Sequence, residues 1–438
     1  MIDVRLTRQL AGLRHWTALM GLVLLGVTWP LWWAGSDFPA VPFWSALQHT
    51  PLFVDRVAYV ALVVALLTLL SASGRQTRLA GWAWSTVLLA GIALLALDQH
   101  RLQPWFYQLL IFAVVFLSAS AERAMQCLMA IVISIYCYSA IGKLDAEFLH
   151  TVGQQFFSGL IRLFAPSSIP TNSPQQVHSM AWVALLPLSE LLLAVGLAWP
   201  VTRRMAGGLA CLFHLTLMLL LGPWGLDHSA GVVCWNIQFA GQAIVLFVLR
   251  SPQAEPHKDE LPQGQITACN GSKQHWGNRL ATVLSALVII LPLAERWGRW
   301  DHWTSWALYA PHSSRTEVWI AVTSLDVLPS SLQQLIAEQQ SEEIDSPAAA
   351  PLWVRLPLER WSLEQTRTPI YPQARFQLGV ARSMAQRVNS PFKVKAILHG
   401  VAARWDGARN SVELQGTQRI ASAQSWFWLG TTPRSTGH

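Results

Sequence analysis

Charge is scarce in this chain. Only 13% of its 438 residues are Asp, Glu, Lys or Arg, while 52% are hydrophobic, and the mean hydropathy is +0.33. Soluble domains carry about a quarter charged residues, so the composition excludes an ordinary soluble fold and predicts an integral membrane protein. Cysteine is also sparse. Cys127, Cys137, Cys211 and Cys234 fall in apolar segments and Cys269 in a polar linker. None has zinc-type spacing and the C-terminal third has none, so neither a disulfide framework nor a metal site is expected. The formal charge of +7 is spread over short loops between apolar runs. No basic stripe interleaved with aromatics appears, which argues against a nucleic-acid partner. No internal repeat is visible. Tyrosine is low at 6 residues and tryptophan high at 23, the balance expected of aromatic belts at two water–lipid boundaries.

A span needs about 17–25 apolar residues. The sequence predicts nine, at 16–34, 56–72, 80–97, 104–121, 125–141, 179–199, 205–221, 229–250 and 278–295. The first run is long and lacks a small-x-small exit, so it is expected to remain as a helix and not be cleaved. Basic residues mark alternate loops: Arg5, Arg8 and Arg14, then Arg75 and Arg78, Arg123, Arg203 and Arg204, and finally Arg250, Lys258, Lys273 and Arg279. The positive-inside rule then puts the N-terminus in the cytoplasm and the C-terminus outside the plasma (inner) membrane.

The expected organisation is a transmembrane bundle over 1–250, a flexible cytoplasmic linker at 251–277 rich in Pro, Gln and charge, and a last membrane helix at 278–299. Residues 300–438 then form a small extracytoplasmic α+β domain. Within it TEVWIAVTSL, LWVRLPLERWSL, FKVKAILHGVAARW and SVELQG read as strands, the last two paired around Asp406-Gly407. SSLQQLIAEQQ and PQARFQLGVARSMAQRV read as helices, and 341–351 as a polar loop. The predicted fold class is therefore a polytopic α-helical membrane protein with a C-terminal α+β domain.

Ionisable and amide groups inside apolar spans are costly and mark candidate sites. Lys143 closes the fifth span in YSAIGKLDAEF, with Tyr138 before it and Asp145 and Glu147 after it. It is either a boundary anchor whose ammonium snorkels to the interface or a base at the edge of a low-dielectric pocket. Asp145 is the expected partner that would hold it charged. Glu190 sits mid-span in LLPLSELLLAVGL, His214 in CLFHLTLMLLLGPWG, and Trp235 and Asn236 in the eighth span, followed by Gln238 and Gln242. Asp98 and His100 flank the third span. Lys143, His100, His214 and Asn236 belong to the outer half of the bilayer or its surface, as one outward-facing pocket would require. Each also has a structural reading as an interhelical hydrogen-bonding group.

YSAIGKLDAEFL resembles the helix-end segment of the vitamin K-dependent gamma-carboxylases, where a Gly-x-Lys-Leu-Asp-Ala string carries the lysine thought to act as base. LDQHRLQPWFYQLL resembles that family's Asn-His segment. The Glu190 helix followed by TRRMAGGLACLFH matches its later order. The likeness covers about residues 10–250 and extends to the bacterial horizontally transferred transmembrane (HTTM) domain proteins, and faintly to DoxX-like proteins. It implies a reduced, vitamin K-like quinone as cofactor and Lys143 as base. His100 or His214 would act on the developing anion, and Glu190, Trp235, Asn236, Tyr138 and Asp98 would line a quinone or substrate pocket. The exported domain is much shorter than a carboxylase's lumenal portion and lacks its β-rich part, which leaves a second reading open. In that reading the chain is a non-catalytic membrane scaffold or lipid-binding component whose exported domain binds an exported protein partner.

Overall fold

The computed structural model describes residues 4–71, 77–164, 179–249, 268–342 and 352–435. Among the described residues ten helices of more than two turns form the bundle: α1 (Val4–Val27), α2 (Leu52–Ser71), α3 (Thr77–Leu97), α4 (Pro104–Ser118), α5 (Ala121–Lys143), α6 (Val152–Phe164), α7 (Met180–Ala198), α8 (Arg203–Leu221), α9 (Ala230–Ala243) and α10 (Ala268–Ile290). Among the described residues eight helices are long and apolar enough to cross a membrane. Two of these reach their full length through distorted ends, a π segment at Ile244–Val248 after α9 and a 3₁₀ segment at Leu291–Trp297 after α10.

The fourth expected span, 104–121, is α4, which has only 15 residues and is not among the eight. At 1.5 Å per residue it covers about 22 Å, short of the roughly 30 Å hydrocarbon layer. It nevertheless runs the depth of the bundle. Just before it, the Gln99 side chain donates to Gly430 O at 2.6 Å; just after it, Ser120 N donates to Asn278 Oδ1 at 2.8 Å. Pro104 opens the helix at a position where a missing N–H costs nothing, and Ser120 caps α5 by accepting from Arg123 N. α4 is buried on nearly every side, including Phe106, Leu109, Phe112 and Val115. A helix enclosed by its neighbours on nearly every side can be short.

The C-terminal unit is a four-stranded antiparallel sheet in the order β2-β1-β3-β4, with β1 Arg315–Ala321, β2 Trp353–Arg355, β3 Val394–His399 and β4 Ser411–Gln415. Buried and half-exposed residues alternate along β1 and β3, whose register sets Val318 opposite Ala396. α11 (Ser330–Glu342), α12 (Leu358–Thr366) and α13 (Ala374–Val388) complete it. α13 turns Phe376, Val380 and Met384 into the core, as its helical spacing predicts. The pairing of β3 with β4 across Asp406-Gly407 also follows the expectation. The strand expected at 352–363 does not. Only Trp353–Arg355 pairs, because Pro357, with φ near −79°, starts a helix that buries Leu358 and Trp361 three positions apart.

The linker expected at 251–277 lies outside the described residues as far as 267, and α10 begins at Ala268. Residues 341–342 end α11, and the rest of the 341–351 loop also lies outside the described residues. Cys127, Cys137, Cys211 and Cys234 are free thiols.

The sheet domain and the bundle share one core. Phe38, Val41 and Leu102, from connections between bundle helices, pack with Val318, Trp361 and Phe376. A Cβ added to Gly379 would sit 2.7 Å from Val41, so α13 approaches that connection as closely as glycine permits. Asp55, fully buried in α2, accepts from Arg101 at 2.5 Å and from Arg434 at 2.8 and 2.9 Å. The last described segment is thereby locked to the bundle.

Candidate binding cavity in the bundle

Lys143 is the last residue of α5 and is buried. Its Nζ donates to Glu190 Oε1 at 2.6 Å, Glu190 Oε2 at 2.8 Å and Ser139 Oγ at 2.8 Å. Ser139 is one turn earlier on the same face, and α7 supplies Glu190 one turn after Pro187, which interrupts the helical hydrogen-bond ladder. The ammonium has exchanged water for a carboxylate and a hydroxyl, the condition under which a buried charge is tolerated.

Asp145, the partner expected from sequence, is not bonded to Lys143. The backbone extends after the helix, at φ −142° and ψ 164°, and the Asp145 carboxylate turns to cap Ala146–His150 through Phe148 N at 2.7 Å. Its other oxygen lies 2.8 Å from His312 Nδ1 and 3.4 Å from Arg296. Burial would raise the Asp145 pKa. The His312 contact, the Phe148 N–H and Arg296 outweigh burial and hold it below the usual carboxylate range.

A second polar chain faces the same space. Tyr136 OH lies 2.7 Å from His214 Nε2, His214 Nδ1 lies 2.9 Å from Asn236 Oδ1, and Asn236 Nδ2 donates to Val232 O at 2.9 Å. The last bond fixes Asn236 Oδ1 as acceptor, so His214 carries its proton on Nδ1 and accepts from Tyr136 through Nε2. Phe239 stacks on the imidazole with ring centroids 5.0 Å apart and planes 8° off parallel.

Between the two chains lies a cavity of about 240 Å³, walled by α5 to α9 and closed by Leu308 and Tyr309 from the connection to the sheet domain. Apart from the polar groups above and the hydroxyls of Ser189 and Thr216, its lining is aliphatic or aromatic, including Ile135, Phe148, Phe156 and Leu217. Burial pushes the Tyr309 hydroxyl above the ordinary phenol range, so it stays protonated. The indole Nε1 of Trp235, on the cavity wall, is buried with no hydrogen-bond partner.

Of the sequence candidates, Lys143, Glu190, His214, Trp235 and Asn236 converge on this cavity, and His100, Asp98 and Tyr138 do not line it. His100 points into the sheet domain, with Nε2 3.0 Å from Pro369 O and its ring packed between Phe38 and Phe376. The turn that carries it folds outward because Asp98 caps it, accepting from His100 N at 3.1 Å and Val41 N at 3.3 Å. Burial lowers the His100 pKa to about 4 and raises that of Asp98 to about 6. Tyr138 faces α10 and donates to Ile289 O at 2.5 Å. Gln238 and Gln242 bond Gln108 of α4, at 2.7 Å from Gln238 Nε2 and 3.2 Å to Gln242 Oε1, a structural clamp. Tyr136 and Ser139 were missed by the sequence reading. Their spacing of seven and four before Lys143 puts all three on one helical face and was the available signal.

No protein-family model, curated protein or solved structure matches this chain.

Proposed function

We propose that the bundle binds a quinone-class lipid and handles a proton at its oxygen through Glu190 and Lys143. The observation that carries this reading is the convergence of the buried Lys143–Glu190 pair and the Tyr136–His214–Asn236 chain on one largely apolar cavity, whose wall includes Trp235, a residue with an unpartnered indole N–H. Sites for such ligands are apolar, with a few placed polar groups that fix orientation. A carbonyl or phenol oxygen is the acceptor that the Trp235 indole lacks. The likeness of residues 10–250 to carboxylase-like and HTTM proteins supports the same ligand class.

A reduced quinone, when bound, supplies an acidic phenolic O–H and two electrons. The ion pair argues for a division of labour in which Lys143 is not itself the base. Its Nζ already donates to three oxygens, so the group able to accept a proton is the Glu190 carboxylate. Lys143 keeps its positive charge beside the oxygen that loses the proton and stabilises the negative charge left there. His214, held by Asn236 in the Nδ1–H tautomer, presents Tyr136 and its own ring edge as polar contacts. The charge asymmetry of the loops supports a multi-pass inner-membrane protein with the N-terminus cytoplasmic and the sheet domain outside.

The test extracts lipid from the full-length protein in mild detergent and identifies it by mass spectrometry. A stoichiometric quinone is expected, lost in Leu217→Trp, which fills the cavity. If no quinone co-purifies or is taken up from quinone-loaded vesicles, the reading fails. Glu190→Gln should retain the lipid and slow quinol oxidation by dioxygen supplied as the electron acceptor; unchanged turnover overturns the proton-handling role.

The second reading, a non-catalytic lipid-binding scaffold whose exported domain engages a partner, is favoured by one observation. Both Glu190 oxygens are used by Lys143, as in a clamp between α5 and α7. Under it, replacing the pair by Lys143→Met with Glu190→Leu leaves lipid content and partner capture unchanged.

A further inference from the structure

Glu295, His302 and His312 form a second polar cluster, outside the cavity and on no sequence motif. Glu295 lies in the 3₁₀ segment after α10, His302 follows a left-handed turn at Gly298 (φ +66°), and His312 precedes β1. All three side chains are buried, and one ligand atom from each lies within 4.8 Å of the others. His302 Nδ1 is 2.8 Å from Glu295 Oε1, and His312 Nε2 is 3.0 Å from that same oxygen.

The far side of each imidazole is equally specific. His302 Nε2 lies 3.0 Å from Ala310 O, and His312 Nδ1 lies 2.8 Å from Asp145 Oδ2. A carbonyl oxygen only accepts, so His302 Nε2 carries the proton and Nδ1 is the lone-pair nitrogen of the neutral ring. Two lone-pair nitrogens facing one carboxylate oxygen repel it unless a cation lies among them. Two extra protons would meet that need only by making both rings cationic with centroids 5.0 Å apart. One divalent ion meets it without charging either ring. An imidazole bound to a metal by one nitrogen and held by a carbonyl or carboxylate at the other is the usual arrangement of such ligands.

We propose that Glu295, His302 and His312 bind a divalent transition-metal ion, zinc by the character of the donors. Two imidazoles and a carboxylate leave one of zinc's four tetrahedral positions open. Asp145 is a positioning residue, whose carboxylate oxygen lies 2.8 Å from His312 Nδ1 on the side of the ring away from the ion. The connection between the two histidines needs such a pin, because Trp306 and Tyr309 hold positive φ of 59° and 58° without being glycine. That same connection supplies Leu308 and Tyr309 to the cavity wall, so the ion sets the wall's position.

The test strips the full-length protein in detergent with a chelator, adds Zn²⁺, removes free metal and counts zinc by mass spectrometry while following thermal unfolding. One zinc per chain and a rise in Tm that the chelator reverses are expected. Glu295→Gln with His302→Ala should lose that zinc. Asp145→Asn, which keeps every ligand, should weaken zinc binding about 10–100-fold and restore full occupancy at higher zinc. His49→Ala, at an exposed histidine, should change nothing. No retained zinc in the wild-type protein overturns the proposal, as does equal zinc in the Glu295/His302 variant, which would place it on the cysteines. Neither readout depends on quinone.

Discussion

At the scale of single residues, Lys143 is neither exposed anchor nor free base; it is half of an ion pair. Removing one member of a buried pair leaves an uncompensated charge, so Lys143→Ala should cost about 3–5 kcal/mol of stability. Replacing both members by apolar residues, Lys143→Met with Glu190→Leu, should cost far less or nothing. Thermal unfolding in detergent distinguishes the two. Asp98 and His100 give a pH prediction with opposing signs. His100 has a folded pKa of about 4 against an ordinary 6.5, so its contribution is present above 6.5 and lost as pH falls toward 4. Asp98 has a folded pKa of about 6 against 3.8, so it favours the folded state at low pH and disfavours it as pH rises through 6. Each shift corresponds to about 3 kcal/mol, and between pH 4 and about 6 they largely cancel. Asp98→Asn should therefore expose an acid-sensitive protein, and His100→Gln one that gains stability on acidification, both measured as Tm against pH.

At the scale of elements, helix contacts depend on where side chains are absent. A Cβ on Gly241 of α9 would lie 2.2 Å from the Trp16 indole of α1, whose Nε1 donates to Gln238 O at 3.1 Å. Gly241→Ala should cost about 1–3 kcal/mol through overpacking, with partial rescue by Trp16→Leu. Gly26→Ala, with open space around it, should be neutral or slightly stabilising in the same Tm series. The spans were legible from sequence because hydrophobic runs are local, and α13 because its apolar spacing is too. Lys143's partner was not. Asp145 is near it in sequence, yet a change from helix to extended backbone turns Asp145 away, and Glu190 arrives from another helix. His100 was misplaced for a related reason, since the Asp98 cap folds its turn toward the sheet. The Glu295–His302–His312 grouping was invisible because left-handed turns, not a regular repeat, bring those residues together.

At the scale of the whole molecule, bundle and sheet domain are joined through Asp55. It accepts from two guanidinium groups, so the substitutions are unequal. Arg434→Ala leaves Asp55 paired with Arg101 and should mainly loosen the domain, seen as faster proteolysis of the C-terminal unit. Asp55→Asn leaves two buried cations facing each other and should cost about 3–5 kcal/mol or abolish folding. A smaller effect of Asp55→Asn than of Arg434→Ala would contradict this account.

The Asp55–Arg434 contact also fixes an order of events in biogenesis. Its partners are 379 positions apart, so α2, which carries Asp55, and the turn that carries Arg101 are synthesised long before Arg434 leaves the ribosome. Contacts of such separation close late in folding. The sheet domain packs on Phe38, Val41 and Leu102 independently of Arg434, and its connection to α2 is a final latch. A chain stopped short of Arg434 would form its bundle with that latch open, Asp55 held by Arg101 alone.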